Sequence, residues 1–361
     1  MILVNRLRKL LRTGEWWNYK IPLALSMAYA FAWKTGVPLS TVAVRLLELL
    51  LAGIACGAYA SVFNDYTDID EDRLAGKHTA MMSVPPSVRG VIIGGANFAV
   101  FAVLALLLWQ GLVISAGCCF LIWVVYTLYS LNPVRLKTRG AWGVGCIAGG
   151  EHLLAGLLGA FLVTERVSAS SSTFGLTPGF PWLWLLAWSV CSFGWGIRSI
   201  VWHQLGDFEN DRISNTNTLV TQFGKERTRR AVECVVFPLE LISLAAILIL
   251  GGNALSWAFL ALYSIMDWIR WRRLGLSMIV VAPSPNFRFV MLEYYQLFLP
   301  LSFLLTDALT STQGWLFIAL QLAVFPTPVR IFLNDVRSAV LPGMRQKPSL
   351  LPLPKQPVEI S

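Results

Sequence analysis

The chain has 361 residues, 56% of them hydrophobic and only 14% charged, with 15 Trp and a mean hydropathy of +0.61. This composition excludes an ordinary soluble domain and describes a polytopic membrane protein. A net charge of +9 on such a chain is a topology signal, with anionic lipid headgroups as neighbours, and gives no reason to expect nucleic acid.

In chain order, the start "MILVNRLRKLLRTGEWW" (1–17) is basic and amphipathic and lacks a small-residue cleavage site, which predicts an interfacial helix rather than a signal peptide. Stretches long enough to cross about 30 Å of hydrocarbon then fall near 18–37, 42–63, 90–109, 111–131, 141–163, 181–203, 231–251, 254–269, 288–308 and 313–333. Two fit the pattern least: 254–269 is short, and 313–333 contains Pro326 and Pro328. With ten crossings, all of the 29 Lys and Arg except Lys34, Arg45, Arg166 and Arg198 fall on one side. Basic residues accumulate in cytoplasmic loops, so that side is expected to be cytoplasmic. The fold class is therefore all-α, a transmembrane bundle of nine or ten helices. A membrane domain at 18–333 would sit between the N-terminal segment 1–17 and a largely disordered cytoplasmic tail, 334–361. The six cysteines (56, 118, 119, 146, 191, 234) lie in or beside apolar segments without metal-binding spacing and read as inert buried thiols. The stretch "VSASSSTFGLTPGFP" (167–181) reads as an external loop, and the Pro-rich end from Lys347 as disordered.

One loop departs from this apolar background. "NDYTDIDEDRLAGKHT" (64–79) follows the second span directly, and at about 100° per residue Asp65, Asp68 and Asp72 fall within roughly 60° of one another while Asp70 points away. Three carboxylates on one face repel unless a cation neutralises them, and hard oxygen donors suit Mg²⁺, which bridges carboxylates to substrate phosphates. A solvated loop would explain a single acid cluster. The cluster recurs, however: "DFENDRISNTNT" (207–218) aligns without gaps on "DIDEDRLAGKHT" (68–79). Asn215 takes the place of Gly76, as the ordinary residue that best tolerates a left-handed backbone. Four predicted helices separate the copies, so both emerge on one face. Two facing acid clusters at the mouth of a bundle would hold two or more Mg²⁺ ions and a diphosphate.

"NDYTDIDEDRLAGKHT" resembles the NDxxDxxxD motif of the UbiA superfamily of intramembrane prenyltransferases, and "DFENDRISNTNT" its second, DxxxD motif. "YSLNPVRLKTRG" (129–140) is similar to the YSxPPxRLKxxG segment found after the fourth helix of many members. Position by position, Asn64, Asp65, Asp68 and Asp72 match the first motif, Asp207 and Asp211 the second, and Tyr129, Arg135 and Lys137 the third. The resemblance departs at Glu209 and Asn210, where several quinone-pathway members carry a further aspartate, and at Asn132, where proline is usual. The family bundle has nine helices, whereas the charge bias here favours an even count.

What the resemblance implies is a nine-helix bundle that clamps a prenyl diphosphate through Mg²⁺ on Asp65, Asp68, Asp72, Asp207 and Asp211. Lys77, Arg135 and Lys137 would add diphosphate contacts, and aromatic walls would shield the allylic carbocation until a lipophilic or aromatic acceptor attacks. A cyclase using the same diphosphate site is the alternative. A transporter would instead need charges at the midplane. Four further polar residues are candidate acceptor contacts. Glu151 and His152 lie about ten residues into the fifth span, where ionisable groups are costly. His203 and Gln204 fall within about 60° of Asp207 on an extended sixth helix, whereas Arg198 points about 180° away and reads as a packing or snorkelling residue. Glu293 and Tyr294 are weaker candidates.

Overall fold

A computed structural model describes residues 2–74, 76, 78–165, 176 and 179–341. Lys77, most of the expected loop at 167–181 and the chain from 342 lie outside the described residues.

The architecture is an all-α bundle. After α1 (Ile2–Leu10) come α2 (Ile21–Lys34), α3 (Ala43–Thr67), the short α4 (Ile69–Leu74), α5 (Pro86–Trp109), α6 (Val113–Ser130), α7 (Ala141–Thr164), α8 (Trp182–Gly206) and the short α9 (Phe208–Ile213). The second half holds α10 (Lys225–Gly251), α11 (Ala254–Ile269), α12 (Leu299–Thr310), α13 (Gly314–Val324) and α14 (Pro326–Val340). Six of these, α3, α5, α6, α7, α8 and α10, are long and apolar enough to cross a membrane. The shorter α2, with 14 residues, spans only about 21 Å and is walled in by neighbours from Ile21 to Ala32.

Two expected spans take a different form. The segment expected at 313–333 is not one helix, because α13 and α14 meet at an angle of 82°. Pro326 explains the break: its ring pushes the preceding residue out of the helical region, and Phe325 sits at φ −119°, ψ 65°. Helix α14 also runs across the boundary expected at 333/334, and its Asp335 is buried in ion pairs with Arg270 (2.9 Å) and Arg288 (2.8 Å). The span expected from 288 begins later, at a π-helical turn over Tyr294–Phe298 that leads into α12. Before it, β1 (Ser277–Ile279) pairs in parallel with β2 (Phe287–Phe289), in register Ser277 to Phe287 and Ile279 to Phe289. Residues of β2 are buried throughout. Apolar character there marks backbone packed inside the protein rather than a lipid-spanning helix.

Helices pack closely where small residues meet, the rule for bundles in lipid. A Cβ on Gly159 of α7 would lie 2.6 Å from the Ala24 carbonyl oxygen of α2. Likewise a Cβ on Gly196 of α8 would lie 2.7 Å from the Ala148 Cα of α7. These contacts draw α2, α7 and α8 together beneath the two acid motifs.

Candidate active site

The internal repeat is a repeat of backbone shape. Helix α3 ends at Asp68, whose φ −102°, ψ 3° turns the chain into α4, and α8 ends at Asp207, whose φ −92°, ψ 5° turns it into α9. Each short helix has six residues and stops before a left-handed residue, Gly76 (φ 66°) or Asn215 (φ 52°). The first aspartate of each DxxxD is thus placed at a helix break. Asp68 N–H closes on Asn64 (3.1 Å) and Asp207 N–H on His203 (2.9 Å), while the second aspartates, 72 and 211, donate back to the first at 2.8 and 2.9 Å.

The third motif folds over the first. Ser130 Oγ donates to Asn64 Oδ1 (3.2 Å), and Lys137 Nζ reaches the same oxygen (3.4 Å) and Asp68 Oδ1. Arg135, left-handed at φ 38°, donates from Nη2 to Asp68 Oδ1 (3.1 Å) and pairs with Glu71 through both Nη atoms. This hydrogen bond from Arg135 holds the Glu71 carboxyl below its usual range, and burial lowers the Lys137 ammonium despite its partner Asp68. The same segment reaches the second motif: Gly140 N–H donates to Asn217 O (3.0 Å), and Gly140 bridges Thr218. Tyr129 stands between the motifs, within electrostatic reach of Asp68, Asp211 and Glu151. Within the second motif, Asp207 Oδ1 accepts from Asn210 Nδ2 (3.3 Å).

Below the acids lies a second polar group. A π-helical turn in α7, Ala148–Leu154, carries Glu151 and His152, and such turns frequently occur at functional sites. Glu151 Oε1 pairs with Lys20 Nζ at 2.6 Å. His152 is buried, 3.9 Å from Glu151, and its two ring nitrogens have no hydrogen-bond partner among the described residues. His203 lies one turn before Asp207 on α8, its carbonyl accepting the Asp207 N–H, within electrostatic reach of Lys20, Glu151 and Asp207. Gln204 is buried with Oε1 unpartnered among the described residues. The pair Lys20–Glu151 closes one end of a narrow apolar crevice of about 60 Å³ between α2, α3, α6 and α7, whose walls include Trp16, Leu49, Tyr126 and Leu158.

Sequence reasoning missed Arg12, Lys20 and Glu71. Arg12, left-handed at φ 48°, extends Nη1 to the buried Asp65 Oδ1 (3.0 Å) and pairs with Glu15. The available signal was position, since Arg12 and Lys20 lie just ahead of the first span, and Glu71 lies inside the acid motif itself. Arg198 is not snorkelling: it is fully buried and doubly hydrogen-bonded to Glu240 at 2.8 Å. Glu293 and Tyr294 are turned to other work, Glu293 pairing with Arg270 (2.6 Å) and Tyr294 donating to Ser256 O (3.0 Å).

The donor set is chemically right for Mg²⁺, because Asn64 and the five aspartates offer only hard oxygens. Among the described residues no three acidic, histidine or cysteine side chains surround a common point. Instead Arg12, Arg135 and Lys137 supply the positive charge at Asp65 and Asp68. A metal bound here would have to take these carboxylates in exchange for the three cations.

The UbiA prenyltransferase family profile matches residues 21–277. A search of curated proteins finds no match. Among solved structures, a digeranylgeranylglyceryl phosphate synthase is 14% identical, with 94% of this chain and 99% of that one covered and a TM-score of 0.52. A UbiA homologue from Archaeoglobus fulgidus is 20% identical in structures bound to DMAPP and Mg²⁺ or to GPP and Mg²⁺, with 89% of this chain and 99% of that one covered and TM-scores of 0.49 and 0.47. The match over most of the chain, on a bundle that repeats one aspartate-bearing helix break, makes this protein a member of the UbiA prenyltransferase family.

Proposed function

We propose that the protein is an integral membrane, Mg²⁺-dependent prenyltransferase that ionises an isoprenoid diphosphate and transfers the prenyl group to a lipophilic or aromatic acceptor. The observation that carries this reading is the duplicated break, which sets the first aspartate of each motif at the end of a long helix, with the third motif bonded to both loops. Asn64, Asp65, Asp68, Asp72, Asp207 and Asp211 are the residues that would hold the metal. Bound Mg²⁺ supplies charge stabilisation for the departing diphosphate. Arg135 and Lys137, released from Asp68, are then free cations beside that diphosphate, with Lys77 as a further contact. The allylic C–O bond breaks with its electron pair on diphosphate. The apolar crevice lined by Trp16, Leu49, Tyr126 and Leu158, narrow at about 60 Å³, would have to widen to take the prenyl chain, whose cation its aromatic faces would support away from water. Glu151, His152, His203 and Gln204 form the acceptor side, and Tyr129 stands between the acceptor and diphosphate sides. The concentration of Lys and Arg in the loops on this side of the bundle supports a cytoplasmic orientation for the mouth.

The test is diphosphate release from geranylgeranyl diphosphate by the purified protein. Release with Mg²⁺, abolished by EDTA and lowered at least about 10²-fold by Asp68→Ala or Asp211→Ala, supports the reading. Undiminished turnover in chelator or in both variants refutes it.

A further inference from the structure

The first two aspartates of the first motif are not neutralised alike. Asp68 has two cations beside it, Lys137 and, at 3.1 Å, Arg135. Asp65 is the more deeply buried, with 4% of its side chain exposed, and among the described residues its one side-chain partner is Arg12, whose Nη1 donates to Oδ1 at 3.0 Å. That guanidinium is shared. Its Nε and Nη2 donate to the two oxygens of Glu15 at 3.0 and 2.6 Å, so one cation serves two carboxylates. Glu15 also lies within electrostatic reach of Asp65.

The sharing determines how Asp65 can change partners. A buried carboxylate stripped of its cation is costly, so Arg12 stays until another cation reaches Asp65. Once one does, Arg12 falls back on the exposed, bidentate Glu15 and never becomes an unpaired charge. The rest of the segment keeps its place. Leu10 and Leu11 pack against Val62, Ile69 and Met81, while the Trp16 indole donates to Leu11 O (2.8 Å) and covers Gly57. Only the Arg12 side chain has to move. Arg12 and Glu15 also precede the part of the chain that the family profile matches, so the contact is made from outside that shared core.

We infer that Arg12, held in part by Glu15, is an internal competitor for Asp65 that sets the Mg²⁺ concentration at which the first acid motif loads. This rests on the Mg²⁺-diphosphate reading of that motif and adds a regulatory contact to it. The two members of one ion pair then act with opposite sign. Arg12→Gln removes the competitor and lowers the Mg²⁺ requirement. Glu15→Gln gives Arg12 undivided to Asp65 and raises it. A merely structural pair would weaken the fold in both variants and leave the Mg²⁺ requirement where it was.

The experiment uses the full chain in detergent at about 0.15 M salt, where exposed charges more than about 8 Å apart are largely screened. Two curves are recorded against MgCl₂: the melting temperature with inorganic diphosphate present, and diphosphate release from geranylgeranyl diphosphate. Relative to wild type, the Mg²⁺ midpoint of both curves should fall about tenfold or more in Arg12→Gln, the worth of one charge-assisted hydrogen bond. It should rise about twofold to fivefold in Glu15→Gln, the worth of one exposed ion pair. Arg73→Gln removes an exposed cation of the same motif that pairs with Asp70 rather than Asp65, and should move the midpoint less than about twofold. A midpoint unchanged or raised in Arg12→Gln, a midpoint unchanged or lowered in Glu15→Gln, or an Arg73→Gln shift as large as that of Arg12→Gln overturns the competitor. If Arg12→Gln does not fold, the Glu15 and Arg73 variants, both at exposed positions, decide by the same criteria. A wild type in which Mg²⁺ changes neither melting temperature nor diphosphate release defeats the Mg²⁺-diphosphate reading itself, and the competitor with it.

Discussion

Two charged networks lie at opposite ends of the same design problem. Around Arg198 everything is closed. Its guanidinium donates to both oxygens of Glu240 at 2.8 Å and to the carbonyls of Val280 (3.0 Å) and Val290 (2.9 Å), Tyr295 donates to Glu240 (2.8 Å), and neither charged side chain is exposed. Three rings, of Trp195, Phe237 and Phe289, lie within 4.8, 4.6 and 5.1 Å of the cation. Those carbonyls flank the non-helical ribbon of β1 and β2, and backbone of that kind within a membrane protein persists only when protein groups satisfy it. Around Asp68 the network is open and crowded with alternatives: Lys137, Arg135 and Thr67 all reach the same carboxylate, and Arg135 also holds Glu71. With 17% of its side chain exposed, Asp68 can change partners. A sealed network fixes a fold; an open, oversupplied one can exchange its cations for a metal and a diphosphate.

The hardest way to break this contrast is to cut one charge from each network. Arg198→Ala strands Glu240 and two carbonyls and should cost about 3–5 kcal/mol, read as loss of folded protein in detergent, whereas Arg198→Met with Glu240→Leu should recover it. Asp68→Ala should do the reverse, lowering diphosphate release about 10²–10³-fold with the melting temperature maintained. Equal thermal losses in Arg198→Ala and Asp68→Ala would erase the distinction.

A smaller effect sharpens it. If Lys137 and Arg135 pass from Asp68 to the substrate, Lys137→Met and Arg135→Met should each raise the diphosphate substrate's KM about tenfold to 100-fold, the worth of one charge-assisted hydrogen bond, without lowering the melting temperature. The smallest effect belongs to the turns. Gly76→Ala forces a Cβ into a left-handed backbone and should cost about 1 kcal/mol, and Asn215→Ala about half that, because Asn already carries part of the strain. Thermal denaturation of both variants checks the order.

Much of this was readable before any coordinates. The gapless repeat implied matching backbone, and the left-handed Asn215 and Gly76 bear that out. The helix wheel, by contrast, treated Asp65, Asp68 and Asp72 as one face of a continuous helix, while the chain breaks at Asp68. Hydropathy could not show the ribbon at 277–289, because buried strand and lipid-facing helix are equally apolar. Pro326 did mark the break at Phe325, but hydropathy could not show where the helix after it goes, because that depends on Asp335 docking against Arg270 and Arg288. The ion pairs of Arg12 with Asp65 and Lys20 with Glu151 join residues far apart in sequence, and single-chain spacing carries no trace of such partners.

The bond from Gly140 N–H to Asn217 O has a mechanical consequence. It ties the strap bearing Arg135 and Lys137 to the turn after Asp211 through one short peptide link, and a Cβ at Gly140 would collide with Gln222, so the joint has no slack. These loops therefore form a stiff lintel across the two acid motifs. On the other side the N-terminal segment is fastened by the Arg12–Asp65 ion pair, by Trp16 packed against Gly57 of α3 and by Trp17 donating to Val324 O.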